Sequence, residues 1–277
     1  MRFGVHAGIE GGFEAAVAYA RRVGCTTMQV FSGNPKTYRA PNPDPAVLER
    51  FRTLRAESDL EPAAFHTSYL INLASADPKI AANSLRLVRN DLALAAKAGI
   101  AYVNTHLGSY GSRDRAEGFA AVVAALERAL GEIAPGVSLV LENSAGAGNL
   151  CGGTLEELGE LVRALDHPQL GICLDTAHAW AAGYRIDDRE SVGRFLEEVE
   201  RTIALARVRM FHFNDTQVEL GGHRDRHWHI GEGLIGREGF RAFASEPALA
   251  NRIAILETPG EEADDLRNLE TVRALAA

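Results

Sequence analysis

Among the imidazole and carboxylate side chains of this sequence, the two types that bind divalent cations here, nine have a spacing that is not random. His66, His106, Glu142, Asp175, His212 and Glu257 each fall at or next to the end of a short apolar, β-branched run. Two local patterns add three more. In Asp175-Thr176-Ala177-His178 a carboxylate is followed by an imidazole one turn later, and in Asp225-Arg226-His227 a spacing of two puts both side chains on one side of an extended loop. Nitrogen and oxygen ligands without thiolates suit zinc, with manganese or iron as other occupants, and a hydrolytic site rather than a structural zinc knot.

Such residues act together only if the fold gathers them. Strand candidates are Arg2 to His6, Thr27 to Phe31, Ala63 to His66, Tyr102 to His106, Ser138 to Glu142, Leu170 to Asp175, Val208 to Phe213 and Ile253 to Glu257. Between them lie segments of helical period. From Asn83 to Ala98, Leu85, Val88, Leu92 and Ala96 recur at three- and four-residue spacing before Gly99 stops the helix; Glu117 to Leu130 and Ser191 to Ala206 behave alike. Eight strand-helix units predict the α/β class and a single-domain (β/α)8 TIM barrel over residues 1 to 277, with a doubly wound open sheet as the other architecture. In a barrel the carboxyl ends of all strands share one face, where active sites lie. A lone His or Glu at a strand end is usually structural, but six on one rim are not, because uncompensated buried carboxylates are costly.

Composition sets the outer limits. With 277 residues, 46% of them hydrophobic and 24% charged, the chain can bury a sizeable core as one domain. No apolar window is long enough for a membrane span and no apolar h-region follows Arg2, so the expectation is an unexported, cytoplasmic protein. Cys25, Cys151 and Cys173 are odd in number and far apart, which predicts reduced structural thiols. The net charge of -8 argues against a nucleic-acid partner only globally. If four carboxylates hold three dications, the crevice is locally positive, so charge does not decide between DNA and a small substrate. His6, His167, His223 and His229 fall outside the ligand set and are expected to be structural or surface residues, with His6 the least settled because it ends the first strand.

Several longer stretches resemble the endonuclease IV family of zinc-dependent apurinic/apyrimidinic endonucleases, nearly end to end. They are Phe65-His66-Thr67-Ser68-Tyr69-Leu70-Ile71-Asn72-Leu73, Asn104-Thr105-His106-Leu107-Gly108-Ser109, Leu141-Glu142-Asn143-Ser144-Ala145-Gly146, Leu174-Asp175-Thr176-Ala177-His178, His212-Phe213-Asn214-Asp215, Asp225-Arg226-His227-Trp228-His229-Ile230-Gly231-Glu232-Gly233 and Leu256-Glu257-Thr258-Pro259. The resemblance implies three zinc ions per chain. His66, His106 and Glu142 would hold the first; Glu142 would bridge to a second held by Asp175, His212 and Glu257; His178, Asp225 and His227 would hold the third. It implies cleavage of duplex DNA 5′ to an abasic site by a monomer, leaving 3′-hydroxyl and 5′-deoxyribose phosphate ends. A hydroxide between the first two ions would be the nucleophile, with Glu142 and Glu257 as the catalytic carboxylates, Glu257 orienting it. Tyr69 and Leu70 match the wedge positions that enter the base stack, and Lys36 in the loop Ser32 to Arg39 stands where the family commonly has arginine.

Three positions depart from the family pattern. Gly8 replaces a small hydroxylic residue, Gln217 a lysine and His223 a basic residue, the last two removing positive charge near the DNA path. Two other readings compete. A xylose isomerase-like sugar isomerase or epimerase also gathers Glu, Asp and His at strand ends, but the ligands His178, Asp225 and His227 are then surplus. A noncatalytic binder of damaged DNA has no need of a bridging carboxylate.

Overall fold

Strand cores in this protein are apolar on both faces. In Ser138–Glu142 the three central residues Leu139, Val140 and Leu141 are fully buried, as expected for parallel strands covered by helices outside and side chains inside. The computed structural model describes residues 1–277. Its strands are β1 (Arg2–Val5), β2 (Gln29–Phe31), β3 (Ala64–His66), β4 (Tyr102–Thr105), β5 (Ser138–Glu142), β6 (Leu170–Asp175), β7 (Val208–His212) and β8 (Ile253–Leu256). The helices are α1 (Gly12–Arg22), α2 (Pro45–Glu57), α3 (Pro78–Ala98), α4 (Arg115–Leu130), α5 (Leu155–Leu165), α6 (Thr176–Ala182), α7 (Arg189–Thr202), α8 (Gly236–Ala244) and α9 (Glu262–Ala276). A core of 66 buried residues lies mostly between the sheet and this helical layer.

All strand pairs are parallel, in the order β1-β8-β7-β6-β5-β4-β3-β2. The ring closes between β1 and β2 through a single parallel bridge, His6 to Gln29, reinforced by the Ala7 N–H donating to the Gln29 carbonyl at 2.8 Å. Gly4 makes that closure sterically possible, since a Cβ there would stand 2.0 Å from the Thr27 carbonyl oxygen. The eight-stranded barrel expected from the sequence is the fold, and no helix is long and apolar enough to cross a membrane.

Element ends differ from the sequence expectation for identifiable reasons. Helix α3 begins at Pro78 rather than Asn83 because the Asp77 carboxylate accepts from the Lys79 and Ile80 N–H groups and Pro78 needs no acceptor for the N–H it lacks. Asp114 caps α4 in the same way, so that the helix starts two residues before Glu117. Helix α7 starts earlier, at an Asp188/Ser191 capping box, and ends at Thr202, short of Ala206, where Ala204 turns to φ 70°. His6, His106, Phe213 and Glu257 lie one residue beyond their strands, where the chain leaves the ladder to enter the rim loops.

Candidate metal centre

Alternation along the strands carries the barrel interior up into the site. Ala64, Val140, Cys173, Met210, Ile253 and Ile255 form a separate six-residue cluster inside the barrel. Residues two apart on a strand share a face. Two positions beyond Ala64, Val140, Cys173, Met210 and Ile255 stand His66, Glu142, Asp175, His212 and Glu257. The apolar plug therefore ends in a layer of imidazoles and carboxylates at the carboxyl rim.

Three groups of potential ligand atoms converge there, with the atoms of each within 4.8 Å of one another: His66, His106 and Glu142; Glu142, Asp175, His212 and Glu257; and Asp175, His178 and His227. Asp225 reaches the third group from an exposed loop, its Oδ1 lying 3.2 Å from His178 Nε2 and 3.3 Å from His227 Nε2. Asp175 is buried and lies farther off, 3.6 Å from His227 Nε2. All nine ligand candidates of the sequence are thus brought to one rim. Tetrahedral donors about 2.0–2.1 Å from an ion sit roughly 3.3–3.4 Å from each other. The observed separations cluster around that edge: 3.4 Å and 3.6 Å from Glu142 Oε2 to His66 and His106 Nε2, and 3.1 Å and 3.2 Å from His212 Nδ1 to Glu142 and Glu257.

The hydrogen bonds of the rings fit cations as well. His66, His178 and His227 each turn Nδ1 to a backbone carbonyl, of Thr67 at 2.8 Å, Asn143 at 3.0 Å and Glu257 at 3.2 Å. A carbonyl can only accept, so a neutral ring carries its proton on Nδ1 and points the Nε2 lone pair into the cluster. His178 Nε2 and His227 Nε2 are both buried, and the group each faces is the Asp225 carboxylate, at 3.2 Å and 3.3 Å, an arrangement that suits a shared cation.

Charges are strongly coupled across this layer. Burial works to raise the Glu142 carboxyl, but the charges of His106 and His212 and hydrogen bonds from His178 and His212 hold it well below the ordinary range. Glu257 is likewise held down against burial by His212 and His6. A hydrogen bond from His178 brings Asp225 down to about 2. Burial opposes a proton on His178, yet Asp175, Asp225 and Glu142 outweigh it and raise the ring well above its usual value.

Residues outside the ligand set hold it in place, and the sequence reading assigned them no role. Asn104 Nδ2 donates to Glu142 Oε2 at 2.6 Å, and Asn214 Nδ2 to Asp175 Oδ2 at 2.7 Å. The Asn143 amide spans the backbone of Asp175 in both directions. His6, expected to be structural or at the surface, belongs to the site: its Nδ1 is 3.0 Å from Glu257 Oε1. Gln29 reaches the same carboxylate. The available signal was a polar residue at an inward position of an otherwise apolar strand, as in Met28-Gln29-Val30.

A crevice of about 360 Å³ opens over the centre, its walls including Phe31, Tyr69 and Thr258 beside the ligands. Tyr69 is 62% exposed and rests edge-on against Phe31, with ring centroids 4.9 Å apart. Leu70 is half-buried beside it, its carbonyl accepting from the Tyr38 hydroxyl at 2.8 Å. Lys36 is exposed on the neighbouring loop, and neither it nor the exposed Arg39, Arg224 and Arg226 forms a side-chain ion pair. The two last flank Asp225 and were missed, because a charge count over the whole chain hides cations collected at one rim.

The family model described as a xylose isomerase-like TIM barrel matches residues 17–276, which agrees with the observed closure and places the chain in that class of barrels. D-tagatose 3-epimerase-like protein shares the fold at a TM-score of 0.79 and 21% identity, covering 99% of this chain and 97% of that one. Relatives called probable endonuclease 4 are far more similar: that of Solibacter usitatus is 40% identical over 100% of this chain and 97% of its own, and that of Methanoculleus marisnigri 39% over 99% and 98%. The crystal structure of endonuclease IV from Thermus thermophilus superposes with a TM-score of 0.88 at 36% identity, covering 99% of this chain and 98% of that one. The chain belongs to the endonuclease IV family.

Proposed function

We propose that this protein is a DNA-repair endonuclease that hydrolyses the phosphodiester 5′ to an abasic site in duplex DNA, leaving a 3′-hydroxyl and a 5′-deoxyribose phosphate, and that it uses three divalent ions. The observation that carries the reading is Glu142. One of its oxygens, Oε2, faces His66 and His106, while the other, Oε1, faces His212 and His178. A buried carboxylate whose two oxygens look into separate ligand groups could serve a cation in each of them.

His66, His106 and Glu142 would hold the first ion, Glu142, Asp175, His212 and Glu257 the second, and His178, Asp225 and His227 the third. Zinc suits the set, and manganese or iron fits the same donors. When bound, the ions supply Lewis acidity toward the phosphate, activation of water and neutralisation of the charge that develops as the P–O3′ bond breaks. The chain's own contribution is geometry. Glu142 and Asn104 fix the spacing of the first two groups, and Glu257, tied to His6 and Gln29, is placed to orient the attacking water. Exposed Tyr69 with Leu70 would wedge into the base stack, and Lys36 would lie along the phosphate path. Three ligand groups exceed what a sugar epimerase needs, which separates this reading from the fold's other chemistry. The direct test is a duplex with a single abasic analogue, treated with and without chelator beside a panel of ketoses and aldoses. Cutting on the 5′ side that chelator removes and zinc restores is expected; interconversion of a sugar without DNA cleavage would sink the proposal.

Two further outcomes follow from the assignment. Elemental analysis should return about three divalent ions per chain, and His178→Ala about one fewer, because the third group then keeps only Asp225 and His227 in full contact. Unchanged metal content in a folded variant would mean the third ion is misassigned. Tyr69→Ala and Leu70→Ala should leave metal content intact but narrow the preference for abasic over intact duplex about tenfold or more, since a wedge offsets an unstacking cost of a few kcal/mol. Competition binding that shows the same preference before and after would return both residues to rim packing.

A further inference from the structure

We propose that Gln29 is a positioning residue for the second ligand group: its side-chain amide fixes which nitrogen of His212 faces the carboxylates and holds Glu257 against that ring. The inference rests on the metal reading above. His212 is inverted relative to His66, His178 and His227. It turns Nδ1, not Nε2, toward the cluster, with Glu142 Oε1 at 3.1 Å and Glu257 Oε2 at 3.2 Å, and the ring is completely buried. Its other nitrogen meets no backbone carbonyl. The atom it meets is Gln29 Oε1, at 3.2 Å.

The assignment of protons is forced from the opposite end of the amide. Gln29 Nε2 lies 2.9 Å from Glu257 Oε1, and a ligand carboxylate, being ionised, can only accept. The amide NH2 must therefore point to Glu257, which leaves the amide oxygen facing His212. That oxygen in turn can only accept, so Nε2 of His212 carries a proton, and when the ring is neutral, as a metal ligand must be, its lone pair is on Nδ1, where the carboxylates converge. The same amide nitrogen lies 3.0 Å from His6 Nδ1, the atom that also contacts Glu257 Oε1. One buried glutamine thus sets a tautomer, a carboxylate and a neighbouring ring together. This is the work that backbone carbonyls do for His66, His178 and His227, and ligand affinity depends on such partners.

Location supports the assignment. Gln29 is completely buried, and its backbone forms the bridge to His6 that closes the barrel. The backbone bonds do not require the amide, so a side chain of similar size can keep the closure and lose only the polar contacts. Gln29→Met does this; Gln29→Glu keeps an acceptor for His212 but replaces the donor to Glu257 with a like charge.

The test uses zinc-loaded protein labelled with nitrogen-15 at histidine, read by long-range nitrogen–proton correlation, together with zinc retention against a graded chelator. In the wild-type protein His212 is expected to carry its proton on Nε2. Gln29→Met should remain folded by circular dichroism, hold one of three zinc ions about 10- to 100-fold more weakly, and lose the single His212 tautomer. Gln29→Glu should keep the tautomer and still lose affinity for that one ion. A wild-type His212 protonated on Nδ1, or a folded Met variant with the wild-type zinc retention and tautomer, overturns the inference. Wild-type protein that holds no zinc at this group while His212 keeps its proton on Nε2 would count against the metal reading alone.

Discussion

Replacing Glu142 by glutamine is expected to lower cleavage of an abasic duplex at least a thousandfold while the protein stays folded and still binds that duplex. Size and shape barely change, and Glu142 is only 1% exposed, so packing is preserved. Charge and acceptor count are not. The carboxylate accepts from Asn104 Nδ2 on Oε2 and faces His212 Nδ1 with Oε1. An amide has one oxygen for these two sides, so its NH2 must confront either the Asn104 donor or the second ligand group. It also carries no negative charge to offset the two cations that would share this residue. Weakening metal-assisted stabilisation by about 4 kcal/mol is enough for the stated loss, since roughly each 1.4 kcal/mol is a factor of ten in rate. The measurement is single-turnover cleavage of a duplex with one abasic analogue, with binding followed separately by anisotropy. A folded variant cutting within tenfold of the parent would mean that Glu142 is no bridge and that the reacting water is held elsewhere on the rim.

What the sequence made legible, and what it did not, divides along physical lines. A parallel strand is apolar for most of its length, so a His, Asp or Glu at its carboxyl end stands out, and the period of two fixes which face it joins. That is why His66, Glu142, Asp175, His212 and Glu257 could be placed over the interior residues that precede them. His178 and His227 were legible through local spacing to a carboxylate, and Asp225 with them, although its exposure and its approach from a loop could not be read from order alone. Gln29 and His6 escaped because their importance lies in a contact between the first, second and last strands, separated by up to 251 positions in sequence. A lone polar residue in a three-residue strand carries no periodic signal. Helix starts were missed where the cap preceded the apolar pattern: nothing about Leu85 or Val88 announces that Asp77 and Pro78 begin the turn. Net charge decided nothing for a related reason. Its sign belongs to the whole surface, whereas Lys36, Arg39, Arg224 and Arg226 are unpaired at the one face where a polyanion would dock.

Asp215→Asn is expected to damage this protein as severely as the loss of a ligand, although Asp215 faces no ligand group. Its carboxylate is completely buried behind the loop between β7 and α8, the loop that carries Asp225 and His227. Five backbone N–H groups converge on it: Thr216 and Ile235 on Oδ1 at 2.8 Å and 3.0 Å, and Gly231, Gly233 and Gly236 on Oδ2 at 2.9 Å, 3.0 Å and 3.2 Å. The loop wraps so tightly that a Cβ on Gly233 would come within 2.4 Å of Asp215 Oδ1. With asparagine, one set of donors keeps an oxygen and the other meets an NH2, leaving two or three buried N–H groups without an acceptor. Hydrogen bonds to a charged group contribute about 1.5–3 kcal/mol each, so the expected cost is at least ~3 kcal/mol, or a fall in Tm of roughly 10 °C for a domain of this size. Because the Trp228 N–H is also held by the Asp215 carbonyl at 2.7 Å, loosening this residue releases the segment just after His227. Metal content should drop by about one ion per chain, the same ion lost in His178→Ala, and cleavage should fall at least about a hundredfold. Calorimetry with elemental analysis decides it: an Asn variant that melts with the parent and keeps three ions would show that the loop holds its shape through the flanking β7 and α8 contacts, without the buried carboxylate.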